Sequence, residues 1–168
     1  LRWHLLDRWE MDKVEILKHA FNLTATSFGL QTLSMIVISN REKREQLVEH
    51  SFNQNQVLNA SHLLVICINE DINNEDVDLH FDNVKNIRKT PESILKPYRK
   101  DLKETIKNMS NEKRLQWSLN QAYIALGNLM TVCAIEEIDS CPMEGFNPEK
   151  YDEILKLKER KLKSVLLL

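Results

Sequence analysis

Glycine is scarce in this chain: it occurs only at positions 29, 127 and 145 of 168, where ordinary usage of about 7% would supply roughly a dozen. Neither a Gly-x-Gly-x-x-Gly dinucleotide turn nor a Gly-x-x-x-x-Gly-Lys-Ser/Thr phosphate loop can be written with that set. Any nucleotide must therefore be held by other means. Each remaining glycine is expected to have a backbone task, either an unusual turn or a close approach.

Cysteine is equally sparse. Cys67, Cys133 and Cys141 are widely spaced and form no Cys-x-x-Cys pair, which argues against both a disulfide framework and a zinc site. His4, His19, His50, His62 and His80 show no metal-ligand spacing, and no Gly-x-Ser-x-Gly elbow is present. Cys141 precedes a helix start that would favour a thiolate, yet no histidine is near in sequence to act as its base, so a structural thiol is the better reading.

No apolar run approaches the roughly 20 residues of a membrane helix, and no charged-then-apolar leader opens the chain. The expectation is a cytoplasmic protein with no membrane partner. With 23 basic and 25 acidic residues the formal charge is −2, so no global field draws it to nucleic acid. The run "KLKERKLK" is interrupted by Glu159 and reads as a solvated face. A composition of 42% hydrophobic and 29% charged residues over this length fits one globular domain. The chain opens without methionine and stops within "KSVLLL", which sets the expectation of a fragment.

The pattern along the chain mixes helices and strands. "MDKVEILKHAFNL" carries a capping-box pattern at Asp12 and Glu15 followed by apolar residues at helical spacing. "LSMIVIS" and "HLLVICIN" read as buried strands. "NREKREQLVEH" reads as a charged helix with Leu47 and Val48 inward, and "SFNQNQVLNAS" as an amide-rich connector or helix. From Glu75 to Met109 the pattern is helical but polar, with Pro91 and Pro97 dividing it and Thr90 placed as a cap.

Leu115, Leu119, Ala122, Leu126, Leu129 and Cys133 recur at steps of three and four, defining a core helix over about 111–137. Its other face carries Ala125, Gly127 and Ala134, which admits either a second subunit or ordinary core burial. Asn147 and Pro148 form an N-cap and first helical residue, and "SVLLL" is a third strand. The order is α+β rather than a strict strand-helix alternation.

Three segments then stand out together: "TATSFGLQ" at 24–31, "FNQNQVLNASHLLV" at 52–65, and "NQAYIALGNLM" with "IDSCPMEGFNPEKYDEIL" over 120–155. In order and spacing they resemble the flavin-dependent nitroreductase family, which uses FMN and NAD(P)H. The resemblance implies a three-layer α/β/α sandwich with a mixed, mainly antiparallel sheet, and a homodimer. It also implies a single domain, 1–168, without the family's C-terminal arm.

For the site, the resemblance places Asn53 and Gln56 at the flavin ring edge, three residues apart and thus able to share a helical face. It places Thr26, Ser27, Gly29 and Gln31 in a turn that reaches the flavin of the partner subunit. Pro142, Met143, Glu144 and Gly145 match the loop over one flavin face, with the Glu144 main-chain N–H directed at the ring. His4 and Arg8, or in the other register Arg2 and Leu6, align with the family's cations that hold the phosphate, and Arg8 is taken as the phosphate contact. The function implied is an FMN-dependent NAD(P)H oxidoreductase reducing nitroaromatics, quinones or similar small-molecule acceptors. A degenerate member that dimerises or binds flavin without turnover is a second reading, and a helical interaction module a third.

Overall fold

The computed structural model describes residues 12–168. Three strands, β1 (Leu33–Ile38), β2 (Leu63–Asn69) and β3 (Leu162–Leu167), form a sheet in the order β1-β2-β3. Both pairings are antiparallel, with Leu33 opposite Ile68 and Ile38 opposite Leu63. Central β2 is buried at every position from Leu63 to Ile68, which is why its sequence is continuously apolar instead of alternating.

That burial comes from helices on both faces. Leu64, Ile66 and Ile68 pack with Leu17 of α1 (Lys13–Asn22) and with Ala122, Leu126 and Leu129 of α6 (Asn111–Ile135). Leu63, Val65 and Cys67 face Leu47 of α2 (Arg41–Val48), Val57 of α3 (Gln56–Asn59) and Tyr151 of α7 (Pro148–Ile154). The result is the expected three-layer sandwich, except that the sheet is wholly antiparallel among the described residues instead of mixed. A third apolar cluster joins α4 (Asn74–Arg88) to α5 (Glu92–Asn108) through Val77, Phe81, Leu95, Leu102 and Ile106. No helix among the described residues is long and apolar enough to cross a membrane.

β3 contains a bulge. Val65 and Ile66 oppose Leu167 and Leu166, but Cys67 opposes Ser164, so Val165 is the extra residue. The bulge puts Val165 and Leu166 in the same apolar cluster while Leu167 enters the opposite one. Below it, the buried Asp152 carboxylate accepts hydrogen bonds from Ser164 N at 2.8 Å and Ser164 Oγ at 2.6 Å, tying α7 to the strand.

Several local expectations change. Asp12 caps α1 by accepting from Val14 N, but Glu15 pairs with Lys18 instead of completing a box. The complete capping box is at Asn73 and Asp76, opening α4. Thr90 caps nothing: Pro91 occupies the N-cap position of α5. Pro97 lies inside α5 without dividing it. Ser93 and Pro97 are both exposed, so water can reach the carbonyl that proline leaves without its helical donor. Arg44, which the charged pattern would put in solvent, is buried and donates to the Leu58 carbonyl at 2.7 Å and to the carbonyl of Ala60. It thereby closes the C-terminal end of α3.

Candidate functional site

The site begins where α2 ends. After a 3-10 turn over Glu49–Ser51, Phe52 and Asn53 both take left-handed backbone, with φ of 51° and 58°. Two such residues in succession are costly outside glycine, and they reverse the chain so that Gln54 faces the 142–146 loop. Gln54 Nε2 donates to the Gly145 carbonyl at 2.9 Å. Asn147 N donates to the His50 carbonyl at 2.7 Å, and the Phe146 ring meets Tyr151 edge-on at 4.8 Å. The 52–56 and 142–146 segments are thus fastened into one unit.

Within the loop, the carbonyls of Met143, Glu144 and Gly145 each have a partner. Met143 exchanges two backbone hydrogen bonds with Leu167, at 2.9 and 3.0 Å. Phe146 N returns to the Glu144 carbonyl at 3.0 Å, making a three-residue turn centred on Gly145. The N–H groups of Glu144 and Gly145 have no protein acceptor among the described residues. Two consecutive peptides are therefore pinned by their carbonyls and present their donors outward. Such a pair suits an acceptor-rich ligand edge.

Gly145 is needed for proximity rather than for an unusual φ. A Cβ there would stand 2.9 Å from Gln54 Nε2 and 3.6 Å from the Phe52 ring. The Glu144 side chain turns away to α6, where its carboxylate accepts from the Tyr123 hydroxyl at 2.8 Å. That hydrogen bond, with burial a smaller cause, holds the Tyr123 phenol above its ordinary pKa.

Beside this unit opens a cavity of about 640 Å³, with Gln56, Val57, Leu64, Cys133, Met143 and Leu168 among its walls. Its size is that of an ordinary small-molecule site. Lys13, His62 and Asp139 add polar groups to the lining. Lys13 is already committed to the end of α6, donating to the Glu136 carbonyl at 2.8 Å, a favourable place for a cation.

The structure gathers only some of the predicted residues. Gln56 and Met143 share the cavity wall, and Glu144 and Gly145 form the donor pair beside it. Pro142 and Asn53 are exposed close by in sequence. Asn53 does not share a helical face with Gln56, because it sits in the left-handed turn ahead of α3. Arg8 lies outside the described residues.

The turn carrying Thr26, Ser27, Gly29 and Gln31 is held elsewhere. Ser27 N donates to Gln121 Oε1 at 2.8 Å, and Gly29, at φ +69°, is backed by the His80 ring. Gln31 is also left-handed, at φ 51°. Among the described residues no hydrogen bond joins this turn to 52–56 or 142–145.

Two positioning side chains escaped the sequence reading. Gln54 is one amide in a run of several. Gln121 is buried at the head of the apolar stretch of α6 and fixes the Ser27 turn. A lone amide entering an apolar helix face was the available signal for Gln121. Nothing in "FNQNQ" distinguishes Gln54 from its neighbours.

The α/β/α sandwich thus carries a backbone donor pair that directly follows Met143, a wall residue of a ligand-sized cavity. The sequence model of the Nitroreductase family matches residues 10–168. A protein of Staphylococcus epidermidis provisionally named NAD(P)H nitroreductase is 36% identical over 142 residues, covering 79% of this chain and 62% of its own length. YfkO of Bacillus subtilis, named likewise, is 32% identical over 155 residues, covering 86% of this chain and 67% of its own.

Among solved structures, the provisionally named nitroreductase ydfN of Bacillus subtilis superposes with a TM-score of 0.83 at 17% identity, over 92% of this chain and 74% of its own. A provisionally named nitroreductase of Exiguobacterium sibiricum, solved in complex with FMN, gives 0.78 at 18% identity, over 99% of this chain and 77% of its own. The chain belongs to the Nitroreductase family. It spans a little under two thirds of the length of the Staphylococcus relative.

Proposed function

We propose that residues 1–168 form one domain of an FMN-dependent NAD(P)H oxidoreductase that acts as a homodimer on nitroaromatic, quinone or similar acceptors. The observation that carries this reading is the unengaged N–H pair of Glu144 and Gly145 beside the cavity walled by Gln56 and Met143. FMN has an acceptor-rich ring edge and an apolar ring face, and this donor set and largely apolar wall fit both. The FMN complex of the Exiguobacterium protein, which shares the fold, adds support.

When bound, FMN supplies the redox chemistry, taking a hydride from NAD(P)H and passing electrons to the acceptor. The chain's own residues bind and orient. Glu144 and Gly145 offer backbone donors, and Gln56 offers an amide dipole rather than a charge. Asn53, exposed in the adjoining turn, is assigned to the same ring edge, and Pro142 restricts the loop. Arg8 is assigned to the phosphate. No side chain is required as an acid or base.

The turn with Thr26, Ser27, Gly29 and Gln31 completes the site of a second copy. Its separation from the donor pair within one chain favours this arrangement. The surface available for pairing is the outer stripe of α6, where Ile124 and Ile135 are 49% and 61% exposed and Gly127 faces open space.

The purified protein is expected to be yellow, to absorb near 450 nm and to be bleached anaerobically by NADH or NADPH. Protein that stays colourless after FMN titration would sink the flavin reading. Light scattering on wild type and Ile124→Asp tests the dimer, with the variant expected at half the mass and with an unchanged circular dichroism spectrum.

A further inference from the structure

We propose that Gln54 is a positioning residue that sets the orientation of the Glu144–Gly145 donor pair. The inference rests on the flavin reading above and assigns part of its binding energy to a side chain outside the proposed contact set.

Three consecutive carbonyls govern the loop. The Met143 carbonyl is held by Leu167 N at 3.0 Å and the Glu144 carbonyl by Phe146 N at 3.0 Å, both main-chain donors. The Gly145 carbonyl is held by Gln54 Nε2 at 2.9 Å, a side chain from the other segment of the site. It is the one contact of the three that a substitution can remove without cutting the backbone.

Glycine has no Cβ to restrain its neighbouring peptides, so the 145–146 plane is the softest in the loop and most in need of an external partner. The same absence of Cβ admits the Gln54 amide at this range. The two residues are therefore complementary. The amide is itself oriented: its NH₂ must face the Gly145 carbonyl, leaving Oε1 toward Gln56 Nε2, 3.5 Å away. Gln56 lines the cavity, so the relay runs from cavity wall to the Gly145 carbonyl, on through the Phe146 N–H of that same peptide to the Glu144 carbonyl, and so to the peptide that carries the Gly145 N–H.

The test uses the whole chain with FMN as probe, comparing wild type, Gln54→Met and Gln54→Glu. Affinity is read by quenching of FMN fluorescence, and the midpoint potential of bound FMN by anaerobic dye titration. Gln54→Met keeps the size and removes the donor. FMN affinity is expected to fall about tenfold, the equivalent of one lost hydrogen bond to an oriented site. The potential is expected to become more negative, which a merely structural role would not produce.

Gln54→Glu presents a carboxylate to the Gly145 carbonyl and is expected to bind weakly at pH 8. It should recover affinity, relative to wild type, as the carboxyl takes up a proton on the way to pH 5 and becomes a donor. Wild-type affinity and potential in Gln54→Met, or a Gln54→Glu pH profile superimposable on wild type, would overturn the assignment alone. Wild-type protein that fails to bind FMN would overturn it together with the flavin reading.

Discussion

The Ser51 hydroxyl lies 2.7 Å from the Tyr151 hydroxyl, with both residues fully buried. Ser51 Oγ also donates to the Leu47 carbonyl at 2.8 Å, so its proton is committed and the tyrosine is the donor between the two hydroxyls. The pair joins the end of α2 to α7 beneath the proposed site. Tyr151→Phe removes a donor and leaves serine bonded to Leu47, at a cost of about 1 kcal/mol. Ser51→Ala leaves a buried phenol without an acceptor, at about 2 to 3 kcal/mol. Urea unfolding should rank the serine variant as the less stable.

The glycines divide by mechanism. Gly29→Ala places a Cβ at φ +69°, 3.3 Å from the His80 ring, and is expected to destabilise by about 1 to 2 kcal/mol. Gly145→Ala crowds only the end of the Gln54 side chain, at 2.9 Å, and meets the Phe52 ring at an ordinary 3.6 Å, so stability should fall by less than about 1 kcal/mol. Thermal melts should separate the two. FMN titration should reverse their order, with Gly145→Ala the more damaging because it dislodges Gln54.

Thiol accessibility offers a third check. Cys67 and Cys133 are buried and Cys141 is exposed. Burial, with the nearby Asp152 carboxylate a smaller cause, pushes the Cys67 thiol up to about 12, and burial raises Cys133 also. Both should resist an aromatic disulfide reagent at pH 8 until the chain unfolds, leaving one fast-reacting thiol in the native protein. Cys141 lines the cavity, so FMN should slow its labelling.

The α4–α5 contact carries a pH signature. A hydrogen bond from Lys103, with the charge of Lys103 and of Arg99 adding to it, holds the Asp78 carboxyl below its ordinary pKa. A depressed folded value gives stability that is present above the unfolded value of about 3.9 and is lost as pH falls through the folded one. Asp78→Asn should therefore melt lower than wild type at pH 6, and the two curves should converge once the carboxylate is protonated in both states. At 40% side-chain exposure the effect is expected to be small and weakened by salt.

Sequence periodicity made β2, α6 and the Asn147–Pro148 helix start legible because each rests on local rules of burial or capping. Pro97 misled because its consequence depends on whether the carbonyl it frees faces water, which only packing decides. Arg44 misled because its charge is indistinguishable in sequence from the exposed Arg41 and Lys43, while three of its carbonyl partners lie 13 to 16 residues away. The loop at 142–146 was recognisable as a unit, and its glycine as meaningful. Its contact with Gln54 spans 91 residues, and no local pattern encodes a choice among adjacent amides.

The extra residue in β3 changes how length variation at that strand would be felt. Side chains along a strand alternate faces, so removing Val165 would leave Ser164, Leu166 and Leu167 opposite Cys67, Ile66 and Val65 as an unbroken ladder. Leu166 would stay in the layer it shares with α6, Leu167 in the layer it shares with Tyr151, and the Leu167 bridge to Met143 would keep its partner. A single-codon deletion there erases a kink and its added twist rather than turning the strand end over, and the loop that presents the donor pair would be spared.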